Sequence, residues 1–283
     1  MQLEKKSKWI KITVTIPFIG FILYMSITLF FYLMQDQITF MPQSISEDRL
    51  NYIRTNYDNV EEITLRVNDE IYVHGWLVKN SDREPSPLLI YFGGNAEEVS
   101  HIISQINNSE FPRSVLLMNY RGYGLSDGAP SETAMFHDAL EIYDYISARD
   151  DVDEHKIAVL GRSMGTGVAV YLAHERDVDQ ALLVSPYDSL TKVAQGRYPF
   201  LPVAWLLNHH FDNISRAPEI DIPLLTLIAT EDRVIPPDHS KRLIEKWQGP
   251  ASYSLFEGYG HNNIQVNSRY WEEIISFLEE SRE

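Results

Sequence analysis

The segment Lys156-Ile-Ala-Val-Leu-Gly-Arg-Ser-Met-Gly165 places a serine where acyl chemistry would need one. The apolar run Ile157 to Leu160 reads as a buried strand. It leads without a linker into Gly161-Arg-Ser-Met-Gly165 and then into a helical pattern from Thr166 to Arg176. A G-x-S-x-G set between a strand and a helix forces a turn so tight that the serine hydroxyl stands clear of both elements. A side chain in place of either flanking glycine would collide with the neighbouring strand or helix. Ser163 is therefore the candidate nucleophile. A second match, Gly124-Leu-Ser-Asp-Gly128, does not follow a strand directly and runs into Ala129-Pro130 rather than a helix. Its composition is that of a turn, and Ser126 is read as a loop residue.

A serine hydroxyl is a weak nucleophile at neutral pH and needs a base, itself held by an acid. Ser252-Tyr-Ser-Leu-Phe-Glu-Gly-Tyr-Gly-His261 reads as a strand followed by a Gly-rich turn that presents a histidine, which makes His261 the candidate base. The other eight histidines lack this setting; His209 and His210 lie in an aromatic segment with no acid in view. For the acid, Pro223-Leu-Leu-Thr-Leu-Ile-Ala-Thr-Glu-Asp232 is an apolar strand ending in two carboxylates. Asp232 is preferred to Glu231 because the Pro-directed turn through Pro236 presents the second carboxylate. Asp188, after the apolar strand Ala181 to Ser185, is the rival.

The oxyanion formed on the attacked carbonyl needs N–H donors already in place. The N–H of Met164, next to the nucleophile, is one candidate. The second is Asn95, because Pro87-Leu-Leu-Ile-Tyr-Phe92 runs into Gly93-Gly-Asn-Ala96 and two glycines allow close backbone approach to a substrate.

These pieces resemble the α/β-hydrolase superfamily, and more narrowly the membrane-anchored α/β-hydrolase-domain serine hydrolases related to the serine-aminopeptidase-like group. The resemblance rests on Tyr91-Phe-Gly-Gly-Asn-Ala96, Asn119-Tyr-Arg-Gly-Tyr-Gly-Leu-Ser-Asp-Gly-Ala-Pro130, Gly161-Arg-Ser-Met-Gly165, Glu231-Asp-Arg-Val-Ile-Pro236 and Gly258-Tyr-Gly-His-Asn262. It covers residue 36 onward and implies an α/β fold: a mostly parallel eight-stranded sheet with helices on both faces and a small cap. It also implies the chain order of nucleophile, acid, base, and hydrolysis of an ester, thioester or amide. The family usually carries His-Gly-Asn at the oxyanion loop. Here Gly93 stands in place of that histidine, which leaves the loop without its usual brace.

The elements needed to position these residues can be read along the chain. Strands are expected at 60–67, 72–79, 87–92, 114–119, 156–161, 181–185, 223–229 and 252–257, the first two as a hairpin. Helices are expected at 96–107, 131–148, 164–177, 238–247 and 267–281. Residues 186–221 interrupt the alternation with Tyr198, Phe200, Trp205, Leu206, Leu207 and Phe211, and read as a small cap able to contact an acyl chain.

Ahead of the catalytic domain, 60–283, lie three shorter segments. Residues 12–34 carry no charge and are long enough to cross a bilayer core of about 30 Å. Residues 1–11 form a basic segment, and residues 35–59 are expected to be a linker. The lysines before the span place the N-terminus in the cytoplasm and the domain outside it. Bulky residues at the end of the span offer no signal-peptidase site. Since all motifs lie downstream, removal of residues 1–36 is expected to leave a soluble, folded domain.

Residues 1–11 hold four lysines and one glutamate, so of the chain's net charge of −16 the remainder carries −19. A domain so acidic disfavours nucleic acid. The absence of cysteine excludes disulfides and a thiol nucleophile. No metal-ligand spacing or phosphate-binding loop is present, so neither metal nor cofactor is expected. Expected partners are an acyl substrate and the membrane. The leading expectation is a membrane-anchored serine hydrolase of carboxylic esters or thioesters. A peptidase or aminopeptidase of the same fold, and a non-catalytic binding module, are the alternatives.

Overall fold

The computed structural model describes residues 2–79, 84–109 and 111–280. The side chains of residues 2–14, and with them the basic N-terminal charges, lie outside it, as do residues 281–283 at the expected end of the last helix.

Eight strands form one sheet: β1 Val60–Arg66, β2 Tyr72–Val78, β3 Ser86–Phe92, β4 Ser114–Met118, β5 Val152–Arg162, β6 Gln180–Val184, β7 Leu224–Ala229 and β8 Ala251–Phe256. Their spatial order is β1-β2-β4-β3-β5-β6-β7-β8. The first two pair as an antiparallel hairpin, β2 pairs antiparallel with β4, and the rest is parallel. The central strands are apolar on both faces because helices cover both. Along β3, Leu88, Ile90 and Phe92 enter one core while Leu89 and Tyr91 enter the other.

Helices α4 Glu132–Ser147 and α5 Gly165–Glu175 pack on the first face through Met135, Ala139, Ile142, Val168 and Leu172. On the opposite face lie α3 Ile102–Asn107 and α10 Arg269–Glu280, through Ile103, Ile106, Ile274 and Leu278. The helix expected over 96–107 is shorter and begins as a 3-10 turn at Val99–His101. Helix α9 Pro237–Ile244 supports the end of β7.

At the N-terminus, α1 Gln2–Thr39 is a single helix, and Thr15–Thr39 is long and apolar enough to cross a membrane. The segment 35–59 is not a free linker. It holds the end of α1 and a second helix, α2 Glu47–Asn56, capped by Ser46 and buried against the domain through Leu50 and Ile53. The side chain of Phe40, just after α1, is part of the core. Sequence periodicity missed α2 because only two of its ten residues are buried, too few to make an apolar stripe.

The expected cap, 186–221, contains three short helices: α6 Leu190–Arg197, α7 Val203–Leu206 and α8 Asn213–Arg216. It packs on α1. The rings of Phe31 and Tyr198 are 5.0 Å apart, and the Asn208 N–H donates to Gln35 Oε1 at 2.7 Å. His209 Nε2 lies 2.9 Å from Asp36 Oδ1. His209 thus has an acidic partner after all, one supplied by α1 rather than by its own segment.

Candidate active site

Ser163 sits between β5 and α5 with φ +51°, in the left-handed region that is costly for any residue with a Cβ. The surrounding packing holds it there. A Cβ on Gly161 would lie 2.5 Å from the Gly165 carbonyl oxygen, and one on Gly165 would lie 2.1 Å from that of Phe92. Both flanking glycines are required because strand, turn and helix are in backbone contact. The Ser163 N–H donates to Val184 O at 2.9 Å, tying the turn to the neighbouring strand β6.

His261 and Asp232 arrive on the loops after β8 and β7, and the parallel register brings both to the end of β5. His261 Nε2 lies 2.8 Å from Ser163 Oγ, and its Nδ1 lies 2.7 Å from Asp232 Oδ2. An ionised carboxylate can only accept, so the Nδ1 proton donates to Asp232 and Nε2 is left to accept the serine proton. Asp232 is fixed from its other side: Oδ1 accepts the N–H groups of Val234 and Ile235, each at 2.8 Å. Burial raises the Asp232 carboxyl. The hydrogen bond and charge of His261, with the two backbone N–H donors, outweigh burial and hold it below the usual carboxylate range.

Asp188, the rival acid, serves elsewhere. Its fully buried carboxylate lies 2.6 Å from His239 Nδ1, accepts Arg242 Nε at 2.7 Å, and pairs with Lys192 of the cap at 3.3 Å. It ties the cap to α9. Ser126 is likewise occupied, accepting the His74 N–H at 2.9 Å and donating to Asn119 O at 3.2 Å.

Asn95 and Met164 both line the cavity over Ser163. Among the described residues, neither backbone N–H has a protein acceptor. The Asn95 side chain has a separate task. Its Oδ1 accepts the Met41 N–H at 2.9 Å and the Tyr123 hydroxyl at 3.0 Å, while Nδ2 donates to Thr39 O at 2.8 Å. The loop is thereby joined to the end of α1.

With Gly93 in place of histidine, the loop is braced by Glu97, which the sequence reading overlooked. Buried Glu97 accepts the Gly94 N–H at 2.6 Å, the Tyr91 hydroxyl at 2.5 Å and Arg162 Nη1 at 2.9 Å. Arg162 also reaches the His261 carbonyl at 3.4 Å, and Tyr120 donates to Gly93 O at 2.8 Å. One buried ion pair therefore links the Gly93–Ala96 loop, the Ser163 turn and the His261 loop. A glutamate three residues after a Gly-Gly turn carries no sequence signal for this role.

The cavity over Ser163 has a volume of about 470 Å³ and is bounded by the cap, the turn after Asp232 and the end of α1. Its walls are mostly apolar, among them Ile38, Met41, Leu190, Val193, Val234 and Ile235. That Ile38, Thr39 and Met41 line it was not legible in sequence.

Comparison with known proteins bears on the family and the fold. The description "alpha/beta hydrolase fold" matches residues 87–208. An uncharacterized protein of Mycobacterium tuberculosis is 32% identical over 206 residues, covering 72% of this chain and 73% of its own. The chain belongs to the α/β-hydrolase family. An uncharacterized membrane protein of Saccharomyces cerevisiae is 30% identical, covering 77% of this chain and 79% of its own. The α/β hydrolase domain-containing protein WAV2 of Arabidopsis thaliana is 27% identical over 83% of this chain and 82% of its own. Among solved structures, an α/β hydrolase from Vibrio vulnificus superimposes with a TM-score of 0.65 at 22% identity, over 82% of this chain and 86% of its own. An esterase from Pyrococcus furiosus gives 0.62 at 17% identity, over 85% and 97%. Family membership supports a hydrolase, and the solved structures show the shared fold.

Proposed function

We propose that this chain is a membrane-anchored serine hydrolase that cleaves carboxylic esters or thioesters through an acyl-enzyme. The observation that carries the reading is the unbroken hydrogen-bonded line Ser163–His261–Asp232 opening on a mostly apolar cavity. Ser163 Oγ attacks the acyl carbon as its proton passes to His261 Nε2. Asp232 keeps the imidazole in the required tautomer and balances the charge it gains. The N–H groups of Asn95 and Met164 receive the oxyanion. The C–O or C–S bond then breaks, and the leaving group takes the proton from Nε2. A water, deprotonated by the same imidazole, releases the acid and restores Ser163.

The apolar cavity walls favour an acyl substrate over a peptide terminus, which would need a dedicated charged pocket. Helix α1 supplies the anchor, and the lysines ahead of it favour an extracytoplasmic domain. The net charge of −19 beyond residue 11 is unsuited to nucleic acid.

A fluorophosphonate probe tests the reading. One label per chain is expected, at Ser163, lost in Ser163→Ala, strongly reduced in His261→Ala and unchanged in Ser126→Ala. Wild-type protein that is folded yet never labels would refute it and favour a binding module.

A further inference from the structure

The cap contains ten consecutive uncharged residues, Tyr198-Pro-Phe-Leu-Pro-Val-Ala-Trp-Leu-Leu207. At their tips Trp205 is 90% exposed and Phe200 is 55% exposed. Large aromatic side chains left in water on an uncharged ridge mark a surface that meets something apolar. Where the ridge lies indicates what that is. It runs down the side of α1, with Tyr198 against Phe31 and the Tyr24 hydroxyl donating to Phe200 O at 3.1 Å. Tyr24 is eleven residues before Gln35, about 16 Å along the helix at 1.5 Å per residue. That is about one leaflet of a bilayer core. A membrane crossed by Thr15–Thr39 therefore contains the ridge as well.

Hydrocarbon demands that backbone polar groups be satisfied internally, and the ridge meets that demand in part. The N–H groups of Leu201, Trp205 and Leu207 bond within the ridge, and Pro199 and Pro202 have none to satisfy. The Gln195 side chain donates to the carbonyls of Tyr198 and Leu201 at 3.4 and 3.1 Å. Arg197, the one charged side chain among the described residues lining the Ser163 cavity, is exposed and directly precedes the ridge in sequence.

Between ridge and α1 runs an apolar groove of about 80 Å³, lined by Phe31, Leu201 and Leu206. It shares Ile38, Thr39, Ala194, Tyr198 and Leu207 with the cavity over Ser163, so the two adjoin across these side chains. We propose that residues 198–207 insert into one leaflet beside α1, and that the groove admits the acyl chain of a bilayer-resident ester to Ser163 without its leaving the membrane. The delivery half rests on the hydrolase reading; the insertion half does not.

Because the chain has no cysteine, Phe200→Cys, Trp205→Cys and Glu154→Cys each provide a single attachment site in the full-length protein. Glu154 is near the start of β5, at the opposite end of the sheet from the site. Each variant is labelled with an environment-sensitive nitrobenzoxadiazole dye and placed in phosphatidylcholine nanodiscs. Doxyl-labelled lipid should quench the dyes at 200 and 205 and spare the one at 154. Equal access of aqueous iodide to all three, or shielding without lipid quenching in discs holding two copies, overturns insertion; the second result would make the ridge an interface between chains.

For delivery, Trp205→Glu and Phe200→Glu should slow hydrolysis of 4-nitrophenyl palmitate in the disc at least about tenfold. Soluble 4-nitrophenyl butyrate should be cleaved within about twofold of wild type by both. Equal effects on the two esters, or none on either, overturn delivery. A wild-type protein inactive on both refutes the hydrolase reading, while lipid quenching still decides insertion.

Discussion

Asp232→Asn is the substitution whose consequence the geometry fixes most tightly. Asp232 Oδ1 accepts two backbone N–H groups, from Val234 and Ile235, and Oδ2 faces His261 Nδ1 at 2.7 Å. An asparagine must keep its only oxygen on the two backbone donors, because turning its NH₂ toward them would place donors against donors. Its NH₂ then faces Nδ1, which becomes an acceptor, and the ring proton moves to Nε2. There it opposes the Ser163 hydroxyl 2.8 Å away and cannot take its proton. The side chain keeps its shape, so folding should be nearly unchanged while the base is lost. In other serine triads the wrong tautomer lowers kcat about 10⁴-fold, equivalent to about 5.5 kcal/mol of barrier. Turnover of 4-nitrophenyl butyrate and the rate of fluorophosphonate labelling should both fall by that order, with the melting temperature moving by only a few degrees. Activity within tenfold of wild type in a folded Asp232→Asn protein would refute the assignment of the acid.

Glu97→Gln should leave Arg162 buried without its counter-charge and loosen the loop carrying Asn95. We expect kcat to fall about 10- to 100-fold with KM little changed, and the melting temperature to drop; unchanged kcat would remove Glu97 as a positioning residue. Asp188→Asn should act on stability, costing about 2 kcal/mol by denaturant titration because Arg242 and Lys192 keep partial access to water, while labelling of the folded protein persists. Burial raises the Asp188 carboxyl, but the hydrogen bonds of His239, Arg242 and Ser189 N–H outweigh it and depress it. Its stabilising effect is therefore complete above about pH 4 and fades as pH falls toward the lower folded value. Acid unfolding of Asp188→Asn should accordingly be flatter below about pH 4 than that of wild type. Removal of residues 1–36 should lower the melting temperature and slow butyrate hydrolysis, because it deletes the contacts of Phe31, Gln35 and Asp36 with the cap. A truncated domain as stable and active as the full chain would show those contacts to be dispensable.

What the sequence determined by itself is whatever depends on residues close along the chain. The central strands were legible because a strand buried on both faces must be a continuous apolar run, as in Pro87 to Phe92. The turn around Ser163 was legible because its steric demand for glycine at positions 161 and 165 is local. His261 and Asp232 were legible as candidates because each follows a strand in a turn-forming segment, and Ser126 could be set aside because its neighbours make a turn. Which of Asp232 and Asp188 faces His261 depends on tertiary structure alone, since both follow apolar strands and only the packing sets one against His261 and the other against His239. The brace through Glu97 and Arg162 joins residues 65 apart in sequence, and the clamp of Asn95 on the end of α1 joins residues 54 and 56 apart. Hydrogen bonds at such separations leave no period or spacing to read. The same holds for α1 itself: its composition announces a membrane span, but that its last turn closes the cavity over Ser163 follows only from where Phe40 and the cap pack, a matter of contacts between distant segments.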